Sequence, residues 1–219
     1  MSCEKSNNEK SSAPSVLTGS TATTDCSMHD HKGPDRHVMA ASMLKFLEAT
    51  GVEKYANPID LGAASQKFTN LWTDKFLAGY HMSAAEILKH KLADGKLDSP
   101  QYVTGLTFVG MCPHDLLPFQ GQAAIGYIPD RGTVGFGQLA DLITCYTARL
   151  TLQETACTEI MGALEKHLSK SGSCCMLQAH HQCFATSRPA HANHIITTVA
   201  TSGQFKAEPQ LMAPLQPNK

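Results

Sequence analysis

The 219-residue chain has no apolar run approaching the length of a membrane span, and it carries little charge of either sign. Asp, Glu, Lys and Arg make up 17 % of the residues and the formal net charge is -1. Nucleic acid and anionic membranes both call for a basic surface, so neither is an expected partner. A disulfide framework is missing too: the eight cysteines follow no such spacing, and a chain of this length needs none. Cys174 and Cys175 are adjacent, so in a strand they would point to opposite faces. Residues 1–36 lack the apolar segment of a signal peptide, and Glu4, Glu9 and Asp25 argue against a transit peptide. These absences lead to the expectation of a reduced, cytoplasmic protein. Rich in Ser, Thr, Asn and Lys, residues 1–36 bury too little to offset their ordering entropy and are expected to form a disordered tail. His29 and His31 within it read as solvated.

What the chain does have is enough apolar residue, 42 %, for one core-bearing domain with extra segments. Residues 37–100 read as a helical region. Met39, Met43, Leu44, Phe46 and Leu47 recur at helical spacing up to Gly51, and a second helix after Asn57-Pro58 carries Ala64, Phe68, Leu71 and Trp72 on one face. A third helix is expected from Ser83 to about Leu92, opened by the capping-box pattern Ser83-Ala84-Ala85-Glu86. Residues 101–206 read as a second module that carries the strands. Strands are expected at Val103–Val109 and Gln122–Ile128, the second stopped by Pro129 and the Asp130-Arg131-Gly132 turn. Helices follow at about 136–148 and 152–169, then strands at Ser173–Ala179 and His194–Thr201, and residues 207–219 form a C-terminal tail. Strand, strand, helix, helix, strand, strand is an α+β order. So small a sheet favours a homo-oligomer.

Two stretches hold the candidate chemistry: Met111-Cys112-Pro113-His114-Asp115-Leu116-Leu117-Pro118-Phe119 and Gln178-Ala179-His180-His181-Gln182-Cys183. Thiolate and imidazole are both good zinc ligands, and zinc needs three from the protein if it keeps a water. Against this, a free cysteine is often just a small buried hydrophobe.

From Cys112 onward the chain resembles the GTP cyclohydrolase I family. That family has a Cys-Glu-His-His-Leu-x-Pro-Phe box, a Gly-Tyr-Ile-Pro turn, a Gly-Leu-Ser-Lys-Leu-Ala-Arg helix start and an Arg-Leu-Gln-Val-Gln-Glu helix. Here these stretches are the Cys112 box, Gly126-Tyr127-Ile128-Pro129, Gly135 to Asp141, and Arg149-Leu150-Thr151-Leu152-Gln153-Glu154. The stretch ending at Cys183 is similar to the family's Ala-x-His-x-Cys-Met strand. The resemblance runs over roughly residues 38 to 206. It implies the tunnelling fold: an antiparallel four-stranded sheet with two helices between the strand pairs, behind an N-terminal helical region. Several subunits of that fold join their sheets into a barrel, which implies a homo-oligomer, a decamer-like ring.

Carried over position by position, the resemblance makes Cys112, Asp115 and Cys183 the zinc ligands, with Asp115 standing where the family has His. Zinc accepts oxygen ligands, and His114, His180 or His181 are the alternatives for the shell. His114 and His181 fall on the proton-handling positions. Gln153 and Glu154 fall on the pair that holds the purine edge. The family's phosphate contacts, a Ser, a Lys and two Arg, are Gly137, Gln138, Asp141 and Ser187 here. Three cations and a hydroxyl are gone, each charged contact being worth roughly 1.5–3 kcal/mol. The leading expectation is therefore a zinc-dependent enzyme acting on a purine- or pterin-like ring, or a related C=N bond, without a triphosphate grip. The alternatives are GTP cyclohydrolase I itself, a zinc-free cysteine enzyme resembling 7-cyano-7-deazaguanine reductase, and a non-catalytic subunit of an active paralogue.

Overall fold

Alternation of apolar and small residues along four segments builds one antiparallel sheet. Its strands are β1 (Gln101–Met111), β2 (Pro118–Tyr127), β3 (Ser173–His181) and β4 (Ile196–Thr201), paired in that order. The computed structural model describes residues 33–54, 60–92, 99–130, 132–169 and 171–215. The expected N-terminal tail therefore falls outside the described residues as far as residue 32, as do Asn57, Pro58 and Arg131.

Seven α-helices are described: α1 (Arg36–Ala49), α2 (Leu61–Leu71), α3 (Ala84–Ile87), α4 (Phe136–Thr147), α5 (Gln153–His167), α6 (Gln182–Ser187) and α7 (Gly203–Ala207). Phe119, Ala123 and Ile125 of β2 and Cys175, Leu177 and Ala179 of β3 share one buried cluster with Leu139, Leu142 and Ile143 of α4 and Ile160 and Leu164 of α5. The intervening residues of the same strands belong to the other face. There Ala124, Cys174 and Met176 pack with Phe205 of α7 and Leu215 of the 3-10 segment Pro209–Leu215. Cys174 and Cys175 thus lie on opposite faces, as strand geometry requires. Leu215 is buried, so the chain past 206 is part of the packed structure as far as that residue, and the rest of the expected tail, 216–219, falls outside the described residues. No described helix is long and apolar enough to cross a membrane.

The N-terminal helices start where acids cap them: Asp35 accepts from the Val38 N–H (3.0 Å) and Asp60 from the Ala63 N–H (2.9 Å). The region is fixed to α4 through Gly79, whose N–H donates to the Ala148 carbonyl at 2.9 Å. A Cβ there would stand 2.6 Å from the Cys145 carbonyl oxygen, so only glycine fits. The Arg149 guanidinium donates to the Gly79 carbonyl (2.9 Å) and lies over the Tyr80 and Tyr146 rings. The helix expected from Ser83 to Leu92 is cut short. Ser83 is its N-cap residue but makes no side-chain cap bond, and the helix ends at Ile87. Beyond it, the carbonyls of Ile87 and His90 accept from the Gln138 amide of α4, which draws that chain out of the helical path.

Chain direction sorts the loops into two ends of the sheet. β1 ends, β2 begins, β3 ends and β4 begins at one end, and Met111 bridges Leu150 just before α5 at that same end. The Cys112 box, the start of α5 and α6 therefore converge there. The start of α4 follows the other end of β2 and lies at the far end.

Candidate metal centre and active site

A tight turn makes the Cys112 box. The Cys112 N–H donates to the Leu117 carbonyl and the Leu116 N–H to the Cys112 carbonyl, both at 3.0 Å. Closing so small a loop puts Leu116 in the left-handed region (φ 53°), a conformation that costs energy for a branched side chain. The turn brings His114 and Asp115 back onto Cys112: His114 Nδ1 and Asp115 Oδ2 each lie 3.8 Å from the Cys112 sulfur. Cys183 arrives from the other side in the first turn of α6. The resemblance puts this residue on a strand; here β3 stops at His181 and the chain turns helical at once. Ligand atoms of Cys112, Asp115 and Cys183 all lie within 4.8 Å of one another. Cys112 is buried, Asp115 exposed, and Cys183 between the two.

Two sulfurs and a carboxylate oxygen make a donor set that suits zinc, and the spacing lets one ion reach all three. Burial pushes the Cys183 thiol up, and the Cys112 sulfur beside it pushes the same way. Burial acts by taking the thiolate out of water and the neighbouring sulfur by repulsion, and a bound cation would oppose both.

His181 ends β3 on the helix-facing side, its ring stacked on Phe119 (centroids 4.7 Å apart, planes within 3°). Its Nε2 is 2.8 Å from Gln153 Oε1. Gln153 is 1 % exposed. Its Nε2, with two hydrogens to donate, lies within bonding distance of three oxygens: the Leu177 carbonyl (3.0 Å), the Ile196 carbonyl (3.1 Å) and Thr198 Oγ1 (3.0 Å). With three oxygens around the amide nitrogen, the amide oxygen has to face the histidine. His181 therefore carries its proton on Nε2 and keeps a lone pair on Nδ1. Burial lowers the His181 pKa, His194 lowers it further, and Glu154 opposes both, so the ring is neutral at pH 7 and available as a base.

Glu154 is exposed in the first turn of α5, beside the buried Gln153. Gln153 and Glu154 therefore stand differently towards a ligand: one is committed within the chain, the other faces outward. His180 points to the opposite sheet face, where it lines a separate cavity of about 520 Å³ with Gln120, Gln122 and Gln178. It is not among the residues grouped with Cys112 and Cys183.

The four positions matched to phosphate contacts separate. Ser187 lies at the end of α6 and donates to the Phe184 carbonyl (3.2 Å). Gly137, Gln138 and Asp141 lie in the first turns of α4, at the far end. Gln138 is also spent internally: its Oε1 accepts from the Gly135 N–H (2.9 Å), and its amide nitrogen binds the Ile87 and His90 carbonyls. Sequence reasoning gave no role to Phe119 as the platform for His181, nor to His194 at the mouth of the β3–β4 connection. Alternation along β2 and β3 was a signal for the first; nothing local signals the second.

Comparison with known proteins agrees with this geometry. The family model for GTP cyclohydrolase I matches residues 39–216. The chain belongs to the GTP cyclohydrolase I family. Among its relatives, GTP cyclohydrolase 1 of Ralstonia nicotianae is 32 % identical over 164 residues, 75 % of this chain and 77 % of that one. GTP cyclohydrolase 1 of Chromobacterium violaceum is 30 % identical over 174 residues, covering 80 % and 83 %. The Helicobacter pylori (strain Shi470) protein of the same name is 32 % identical over 170 residues, covering 77 % and 92 %. The family is one of hydrolases, and its match extends past residue 206 to take in the 3-10 segment that packs under the sheet.

Proposed function

We propose that this family member is a zinc-dependent hydrolase acting on a neutral purine- or pterin-like ring, or a related C=N bond, without a triphosphate grip. The observation that carries the reading is the meeting of Cys112, Asp115 and Cys183 within 4.8 Å, at the sheet end that also holds His114, His181 and Glu154. Zinc held by the trio supplies Lewis acidity and makes a nearby water more acidic. Glu154 accepts N–H groups from the ring edge. His181, fixed by Gln153 with its Nδ1 lone pair available, takes a proton as water adds to the electrophilic carbon. His114, exposed beside Cys112, returns one to the departing nitrogen. The absence of a triphosphate grip is argued from Gln138, whose amide is occupied, and from Asp141, an exposed acid where the family has Arg. The working form is a homo-oligomer, decamer-like as the family resemblance implies, and the apolar surface that Val38, Phe46, Phe136 and Val199 leave exposed on one chain supports burial between subunits.

A second reading, GTP cyclohydrolase activity proper, is favoured by the names of the relatives and by Arg188 and His191, which stand exposed at the site end. One titration separates the two. GTP and neutral guanine-type ligands are measured against the native protein, Glu154→Ala, and a revertant with Ser, Lys, Arg and Arg at positions 137, 138, 141 and 187. The proposal expects weak GTP binding by the native protein, a loss of roughly 1.5–3 kcal/mol in ring binding for Glu154→Ala, and salt-sensitive gain of GTP affinity in the assembled revertant, where the start of α4 from a neighbouring subunit would bring to the site the charges that its own chain holds at the far end. Tight native GTP binding that persists in high salt, with formate released on turnover, would establish the second reading.

A further inference from the structure

β3 outruns β4. Ala179 pairs with Ile196, and no residue of β4 stands opposite His180 or His181. A main-chain donor at such a place needs a partner, and here a side chain provides it. His194 Nε2 lies 3.3 Å from the His181 N–H nitrogen, and His194 Nδ1 lies 2.9 Å from the His191 carbonyl oxygen. One ring nitrogen accepts and the other donates, which fixes the Nδ1–H form of a neutral imidazole. The ring also packs edge-on against Phe184 of α6, centroids 4.5 Å apart and planes at 70°. A single imidazole thus joins the end of β3, α6 and the turn that leads back to β4.

We propose that His194 is a positioning residue, whose ring completes the sheet at His181 and pins α6, so that His181 and Cys183 keep their places. Its effect on chemistry rests on the metal-hydrolase reading above; its effect on His181 and α6 does not. The roles of the ring are separable by substitution. His194→Phe keeps a flat ring against Phe184 but offers no acceptor. His194→Gln gives up the ring and restores an acceptor oxygen at the reach of Nε2.

The test uses the full chain with two readouts: residue-resolved amide exchange along β3, and titration with Co(II) followed by its absorbance. In His194→Phe the His181 amide should exchange about tenfold faster, the worth of one hydrogen bond, while the amides of Cys174 to Ala179 keep their rates. Co(II) affinity should fall by about the same factor, because α6 and Cys183 loosen with it. His194→Gln should recover both. An unchanged His181 amide in His194→Phe, or uniform acceleration of every β3 amide, overturns the proposal. Unchanged Co(II) affinity in a variant whose His181 amide is released overturns the part concerning Cys183. A native protein that binds no Co(II) defeats the metal reading, and the exchange data still decide whether His194 holds His181.

Discussion

Gln153→Met tests the logic of the buried amide most directly. Methionine nearly matches glutamine in length and volume, so the change opens little cavity and isolates the polar contribution. Two donated bonds, shared among three acceptors, and one accepted bond disappear together. At about 0.5–1.5 kcal/mol net for each, the expected loss of folding stability is about 3 kcal/mol. Urea unfolding measures it, at one fixed protein concentration because assembly feeds into apparent stability. With a slope of about 2 kcal/mol per molar urea, the midpoint should fall by about 1.5 M with the slope unchanged. A second signature is spectroscopic. Without Gln153 Oε1, nothing holds the His181 proton on Nε2, and the ring nitrogen shifts should move toward a mixture of neutral tautomers. The His181 pKa should stay below its ordinary value, because burial, the larger cause, remains. A stability loss under about 1 kcal/mol together with unaltered ring shifts would refute the claim that Gln153 sets the histidine's tautomer.

Metal analysis of the pure protein should find about one zinc per chain, and Cys112→Ala and Cys183→Ala should each abolish it; full metal content in both variants would remove the ligand trio from consideration. Alkaline unfolding should report the buried thiols. Burial pushes Cys174 up to about 12 from an ordinary 9.0, so above that ordinary value the unfolded chain gives up a proton that the folded chain keeps. The thiol's contribution is whole below pH 9 and is lost as pH rises toward 12. Cys174→Ala should flatten that decline, and an identical pH profile would count against it. Light scattering at micromolar concentration should find a large homo-oligomer, unchanged in size when residues 1–30 are removed; a monomer would contradict the assembly reading.

The sheet and its two central helices were legible because their signals are local. Loose alternation marked β1, short apolar or β-branched runs marked the other strands, and Gly or Pro punctuated the gaps around them. The convergence of Cys112, Asp115 and Cys183 was legible through matched positions, since each residue sits in a short run of recognisable pattern. The misreadings share a different cause. The helix from Ser83 fell short because Gln138, 51 residues from Ile87 in sequence, takes that carbonyl, and no local window contains that bond. The commitment of Gln153 to β3 and β4 depends on partners 24, 43 and 45 residues away. Residues 207–219 were expected as a tail, yet Leu211, Met212 and Leu215 help to cover the second sheet face. Cys183 read as part of a strand because β3 supplies residues up to His181; the switch to helix comes where β4 no longer runs alongside.

The separation of the start of α4 from the Cys112 end has a consequence for how this lineage can vary. α4 has 12 residues and so keeps its two ends about 18 Å apart. Substitutions at such a distance, sharing no partner, act independently within one chain. Residues 137, 138 and 141 can therefore drift in charge without disturbing the thiols, Asp115 or His181. On the proposed reading, phosphate contacts at these positions can be shed one at a time while the Cys112 end is maintained by its own selection. A gene copy carrying that architecture can change what it recognises long before it loses what it does.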